Sequence, residues 1–213
     1  MRCLIALLLL AAAPAARPAH APGPAGHYRL AGGPDTASEI LLKPDGRFAF
    51  FLMAGALDEH AEGRWTAQGR HIRLETLPKP RPPVFTAAGA TRTAEGPLSI
   101  AVKWPDGRGI ALIDLRVGFD TGAPAEGYTQ DDGWTLDPAE TRTPRWVELG
   151  LDMYGIGYTR FPIDPAKGNA LAFTLTPNDL GVMDMTGVEV EAEPGALLFR
   201  GPGGEGRYVR QGR

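Results

Sequence analysis

Residues 98–104 read "LSIAVKW": Leu98, Ile100, Val102 and Trp104 fall on one side, with Ser99, Ala101 and Lys103 on the other. This alternation has the two-residue period of an extended chain with one face on a core and one on solvent, not the 3.6-residue period of a helix. The pattern recurs downstream. "IDLRVGF" sets Ile113, Leu115, Val117 and Phe119 against Asp114, Arg116 and Gly118. "WVELGLDM" places Val147, Leu149, Leu151 and Met153 on one face, and "ALAFTLT" does the same with Leu171, Phe173 and Leu175. Alternation this regular predicts half-buried antiparallel strands.

The 28 glycines and 20 prolines are spread between short apolar runs instead of clustering, which favours strands joined by turns over a low-complexity chain. Turns are expected at "PDGR" (44–47), "PDGRG" (105–109) and "DDG" (131–133). Leu52 to Ala61 comes closest to a helix, but Gly55 and the charges after it reduce it to a single turn. The fold class expected is all-β with little or no helix: an antiparallel barrel-like module and a β-sandwich module.

Two breaks divide the chain. "PKPRPP" (78–83) lacks the amide donors of a central strand and reads as an extended connector, and "TPND" (176–179) marks a second boundary. The expected layout is a signal peptide over 1–21, a β module over 22–83, a sandwich over 84–180, and a hairpin over 181–213. That hairpin pairs "GALLFR" with "GRYVR" across "GPGGE" and returns to close the first module.

The leader "MRCLIALLLLAAAPAARPAHAPGPAG" has a positive start at Arg2, an apolar run from Leu4 to Ala13, and then small residues and prolines. This is the arrangement of a secretory signal, and about ten apolar residues are too few to span a bilayer. Cleavage is expected after Ala15 or Ala21, giving a soluble periplasmic or secreted bacterial protein. Cys3, the single cysteine, precedes the apolar run, so a mature chain would hold no disulfide, thiol nucleophile or thiolate metal site. The formal charge of −3 becomes −5 when Arg2 and Arg17 leave, and the scattered charges give no electrostatic case for a nucleic-acid partner.

The densest ionisable cluster with a histidine lies in "DGRFAFFLMAGALDEHAEGRW" (45–65), where Asp58, Glu59, His60 and Glu62 sit within five positions. They are the loop candidates. Their spacing lacks the alternating oxygen ligands of a calcium loop, so a solvated connection at a hairpin end is expected and no metal or cofactor. Phe48, Phe50, Leu52, Trp65, Ile72 and Leu74 face the interior of the first module. Six bulky groups from three strands favour a filled core, with at most a narrow apolar ligand site near the open end lined by Phe50 and Trp65.

"GHYRLAG", "SEILLKPDGRFAFFL", "EGRW" and "RHIRLET", in that order over residues 26–77, resemble the lipocalin-like small barrel modules of exported bacterial proteins, and "LLFR…GRYVR" resembles their last strands. "DGRGIALIDLRVGFDTGAPAEGYTQDDGW", within 95–176, is similar to prealbumin-like and carboxypeptidase regulatory-like sandwich modules. The resemblances imply carriers, accessory domains or spacers without catalysis.

"FDTGA" (119–123) has the local form of an aspartic-protease motif, which needs a second aspartate sharing a proton. "ELGLD" (148–152) follows too closely to supply it, so a polar turn at Asp120 is expected. His27, His60 and His71 show no metal-ligand spacing, and no nucleophile elbow, phosphate loop or dinucleotide fingerprint is present. Glu189, Glu191 and Glu193 share one strand face, read as solvated or edge-protecting. The expected function is a non-enzymatic envelope protein that binds a small apolar ligand or an envelope partner. The alternatives are a carboxylate-dependent hydrolase using Asp120 and a structural spacer.

Overall fold

The computed structural model describes residues 23–32, 35–93, 96–201 and 204–212. Five strands come first: β1 (Gly26–Leu30), β2 (Thr36–Leu42), β3 (Arg47–Ala54), β4 (Leu57–Gln68) and β5 (His71–Thr76). Eight follow: β6 (Val84–Thr91), β7 (Ser99–Lys103), β8 (Asp114–Phe119), β9 (Ala125–Tyr128), β10 (Trp134–Thr135), β11 (Pro144–Leu151), β12 (Ile156–Pro162) and β13 (Ala170–Thr176). The last three are β14 (Glu189–Glu193), β15 (Ala196–Gly201) and β16 (Gly204–Arg210). The protein is all-β. Its one helical element among the described residues is a 3-10 turn at Asp152–Tyr154.

The barrel is closed and antiparallel throughout, in the order β1-β16-β15-β14-β5-β4-β3-β2. Two four-stranded sheets, β10-β7-β13-β6 and β12-β11-β8-β9, make up the strands between β5 and β14. The barrel is thus discontinuous in sequence, and the sandwich is inserted in it.

Turn chemistry explains the hairpins. In both "PDGR" turns the glycine takes a positive φ, +81° at Gly46 and +89° at Gly107, a conformation that only glycine enters cheaply. The aspartate before it accepts the amide of the arginine after it, Arg47 to Asp45 at 3.1 Å and Arg108 to Asp106 at 3.0 Å. Each arginine also returns its Nε to the same carboxylate at 2.8 Å.

Alternation translates directly into two cores. Ile40, Phe48, Ile72 and Leu197 fill the barrel, and Ile100, Ile113, Val117, Val147, Leu149 and Leu175 join the two sandwich sheets. Met185, fully buried, comes from the connector between sandwich and barrel. Its amide donates to Thr76 Oγ1 at 2.9 Å, and Thr76 Oγ1 donates to the Met183 carbonyl at 2.9 Å, so this segment stoppers the barrel at the sandwich side.

Several expectations are corrected. Strand β7 of "LSIAVKW" is antiparallel to β10 but parallel to β13, with Ile100 beside Leu171. Alternation reports which face is buried and carries no information on a neighbour's direction. Asp58, Glu59, His60 and Glu62 do not form a loop: they lie within β4, because Gly55 at φ +60° turns the chain tightly enough for Ala54 to pair with Leu57. Met153 leaves the buried face and is exposed, since the chain tightens into the 3-10 turn that ends at left-handed Gly155. Glu189, Glu191 and Glu193 protect no edge, because β14 is flanked by β5 and β15; Arg70 and Arg200 pair with Glu191, and Arg207 with Glu193.

Candidate functional site

Strand β4 is twelve residues long and β5 only six, so the first half of β4 extends past β5 toward the sandwich. The free edge of that half is taken by the returning connector. His60 donates its amide to the Gly181 carbonyl at 2.8 Å and its carbonyl accepts the Met183 amide at 2.8 Å, a parallel bridge centred on Val182. Gly181 fits this approach: it has φ +85°, and a Cβ there would lie 3.1 Å from the Asp58 carbonyl oxygen.

The outgoing and returning connectors are also tied to each other. Arg81 donates its amide to Asp179 Oδ2 at 2.8 Å, Asp179 returns its amide to the Arg81 carbonyl at 3.2 Å, and Asn178 Nδ2 donates to the Pro82 carbonyl at 2.8 Å. These backbone and side-chain bonds from Arg81 hold the Asp179 carboxyl below the usual range.

Between the two connectors, the barrel end and the 3-10 turn lies a groove of about 460 Å³. Pro80, Pro82, Pro83, Tyr154, Ile156, Leu180 and Val182 give it apolar walls, and Glu59, Lys79, Arg81, Asp179 and Asp184 carry its charges. Asp184 accepts bonds from Thr186, which lower its carboxyl, and Lys79 adds to this. Glu59 differs. It lies on the inward-turned face of β4, half-buried, with no hydrogen-bond or ion-pair partner among the described residues, and burial raises its carboxyl above the usual range.

Of the four clustered candidates, the structure therefore brings only Glu59 into the groove. Asp58, His60 and Glu62 point outward from β4 and are exposed. Phe50 is buried in the barrel and stacks on Phe199 with ring centroids 6.0 Å apart. Trp65 lies four residues beyond Ala61, the cross-strand partner of Phe50, about 13 Å along the strand. There its indole donates to the Lys43 carbonyl at 2.9 Å, at the end of the barrel away from the sandwich, so Phe50 and Trp65 do not meet.

Asp120 sits in an exposed turn after β8. It accepts the Thr143 amide at 3.3 Å, and Arg142 clasps the turn through the carbonyls of Thr121 and Ala123. The neighbouring carboxylate, Glu140, is held by Arg142 and shares no proton with Asp120. Among the described residues, no three His, Cys, Asp or Glu side chains are grouped to hold a metal ion, and no helix is long and apolar enough to cross a membrane.

A second cleft of about 520 Å³ runs outside the barrel between β5 and β14. Its charged residues include the cross-strand neighbours Arg64 and Glu75, and Arg73 and Glu189, so both signs alternate along it. Tyr154, Ile156, Leu180 and the Arg81–Asp179 tie escape sequence reasoning, although both connectors are visible as composition breaks. The missing signal is that the two connectors run side by side. Comparison with known proteins places the chain beside none of them: no protein family, curated protein or solved structure matches it.

Proposed function

We propose that this chain is an exported, non-enzymatic envelope protein that binds a small ligand in the groove at the junction of barrel and sandwich. The observation that carries the reading is Glu59: a half-buried carboxylate without a partner, set in a largely apolar groove in which Arg81 is paired with Asp179 and Lys79 acts on Asp184. Desolvated ionisable groups in concave apolar sites mark binding and catalytic sites more often than structural ones. The volume falls in the range of small-molecule sites. The barrel interior offers less, since Met185 stoppers it and aromatic side chains occupy it.

The reading is tested by adding a library of small amphipathic compounds to isotopically labelled protein and following amide resonances. Binding should move Glu59, Tyr154, Ile156 and Gly181 together. Shifts confined to the barrel core would move the site inside the barrel. Cleavage of denatured protein by the wild type, lost in Asp120→Asn, would replace binding with hydrolysis.

A further inference from the structure

We propose that the ligand of this groove is a small organic amine, whose ammonium pairs with the Glu59 carboxylate while its apolar body lies on Ile156, Leu180 and Val182. The inference rests on the reading that the groove is the binding site, and it adds the chemistry of the occupant.

The argument is one of charge complementarity. Arg81 is committed to Asp179 through its backbone amide at 2.8 Å and its Nε at 3.4 Å. Asp184 is bonded by Thr186 and lies close enough to Lys79 to feel its charge. Arg81 and Asp179 form an ion pair, while Lys79 acts on the Asp184 carboxyl from beyond ion-pair distance. Glu59 remains, and no cation of the described chain comes within ion-pair distance of it. The Glu59 carboxylate is half-buried and unpaired, with its oxygens open to water through the groove, and a ligand cation would supply the partner it lacks. A neutral ligand covering the groove would bury the carboxylate without a partner, at a desolvation cost, and an anionic one would add repulsion.

The walls set the rest of the ligand. Proline rings on one side and the branched side chains of Ile156, Leu180 and Val182 on the other give an apolar lining with few donors. A groove of about 460 Å³ suits a compact molecule of this kind. A protein partner would instead need about 800 Å² of surface on this side.

The test is titration calorimetry on the whole protein with three probes of one shape: phenethylamine, phenethyl alcohol and hydrocinnamic acid. Groove amide resonances are followed in parallel. The amine is expected to bind most tightly, and Glu59→Gln to weaken it about ten-fold or more while leaving the alcohol unchanged, the loss expected for one charge-assisted hydrogen bond. Equal binding of amine and alcohol at the groove, indifferent to Glu59→Gln, would overturn the amine and leave the groove standing as a site. Failure of all three probes to move groove resonances would overturn the amine as well. If, in addition, the wider library moved only residues outside the groove, the groove itself would fall. An unchanged unfolding midpoint of Glu59→Gln, or a higher one, shows that a lost affinity is not lost folding.

Discussion

Tyr208 donates its hydroxyl to Ser38 Oγ at 2.9 Å inside the barrel, and Ser38 passes its own proton to the Phe51 carbonyl at 2.6 Å. Both side chains are buried, and burial pushes the Tyr208 hydroxyl up, so it stays protonated and can only act this way round. Ser38→Ala strands the hydroxyl and is expected to cost about 1–3 kcal/mol. Tyr208→Phe leaves Ser38 bonded to Phe51 and should cost less. Urea midpoints for both variants and the double mutant give the coupling; additive losses would show that the two groups do not act as a pair.

Gly63 and Gly118 predict two different kinds of damage. A Cβ on Gly63 would lie 1.9 Å from the Glu75 carbonyl oxygen, which is backbone of the adjacent strand and has nowhere to go. A Cβ on Gly118 would meet Trp146 Cε2 at 1.9 Å, and that indole can lift off the sheet by giving up its stack with Arg160 at 3.9 Å. Gly63→Ala is expected to lose stability by overpacking, on the order of 1–3 kcal/mol. Gly118→Ala should lose less but shift the Trp146 indole resonance. A larger urea effect for Gly118→Ala would reverse this ranking.

Met185→Ala should cost about 2–5 kcal/mol, as for other large-to-small changes at fully buried sites. It also unstoppers the barrel, so the variant should take up an apolar fluorescent dye that the wild type ignores. Dye uptake equal in the two proteins would mean that Met185 does not close the interior.

Most of the architecture was readable from alternation and turn chemistry, because both report local physics. "IDLRVGF" is buried where its pattern says, and the "PDGR" turns form as aspartate and glycine require. What stayed hidden was set by distant partners. The direction of β13 beside β7, the bridge of Val182 to His60, and Met185 in the barrel all join segments far apart in the chain. Asp58 to Glu62 reads as a loop because charges outnumber apolar residues there. Between Asp58 and Glu62 the inward positions are small or acidic, Ala61 and Glu59, so the alternation carries no hydrophobic signal there.

Acid should open the turn that follows β8. Side-chain hydrogen bonds from Arg142 hold the Glu140 carboxyl down to about 2. A lowered carboxylate contributes stability that is complete above the ordinary value of 4.5 and is lost as pH falls toward about 2. Amide exchange at Thr121, Gly122 and Ala123 should therefore accelerate over that window beyond the intrinsic effect of pH. Glu140→Gln should show the faster exchange already at neutral pH; identical exchange in both proteins would mean that Arg142 clasps the turn unaided.

Glu59 has the opposite sign. Its carboxyl is raised in the folded protein, so as pH rises the unfolded chain ionises first and is favoured. Glu59→Gln is expected to be more stable than the wild type at neutral pH, with the difference vanishing in acid. A stability gap that persists at acid pH would point to packing instead of charge.

The insertion of the sandwich within the barrel also fixes an order of events during synthesis. Ser38 and Tyr208 are separated by 170 positions, and β14 to β16 leave the ribosome only after the whole sandwich. Until then β1 and β5 are bare sheet edges, open to any extended chain nearby. The strands of the sandwich, by contrast, all lie between Val84 and Thr176 and can assemble as soon as they emerge. The unit begun first is finished last, so a truncation before β14 leaves a complete sandwich tethered to a half-built sheet with sticky edges, and it is such fragments that should aggregate.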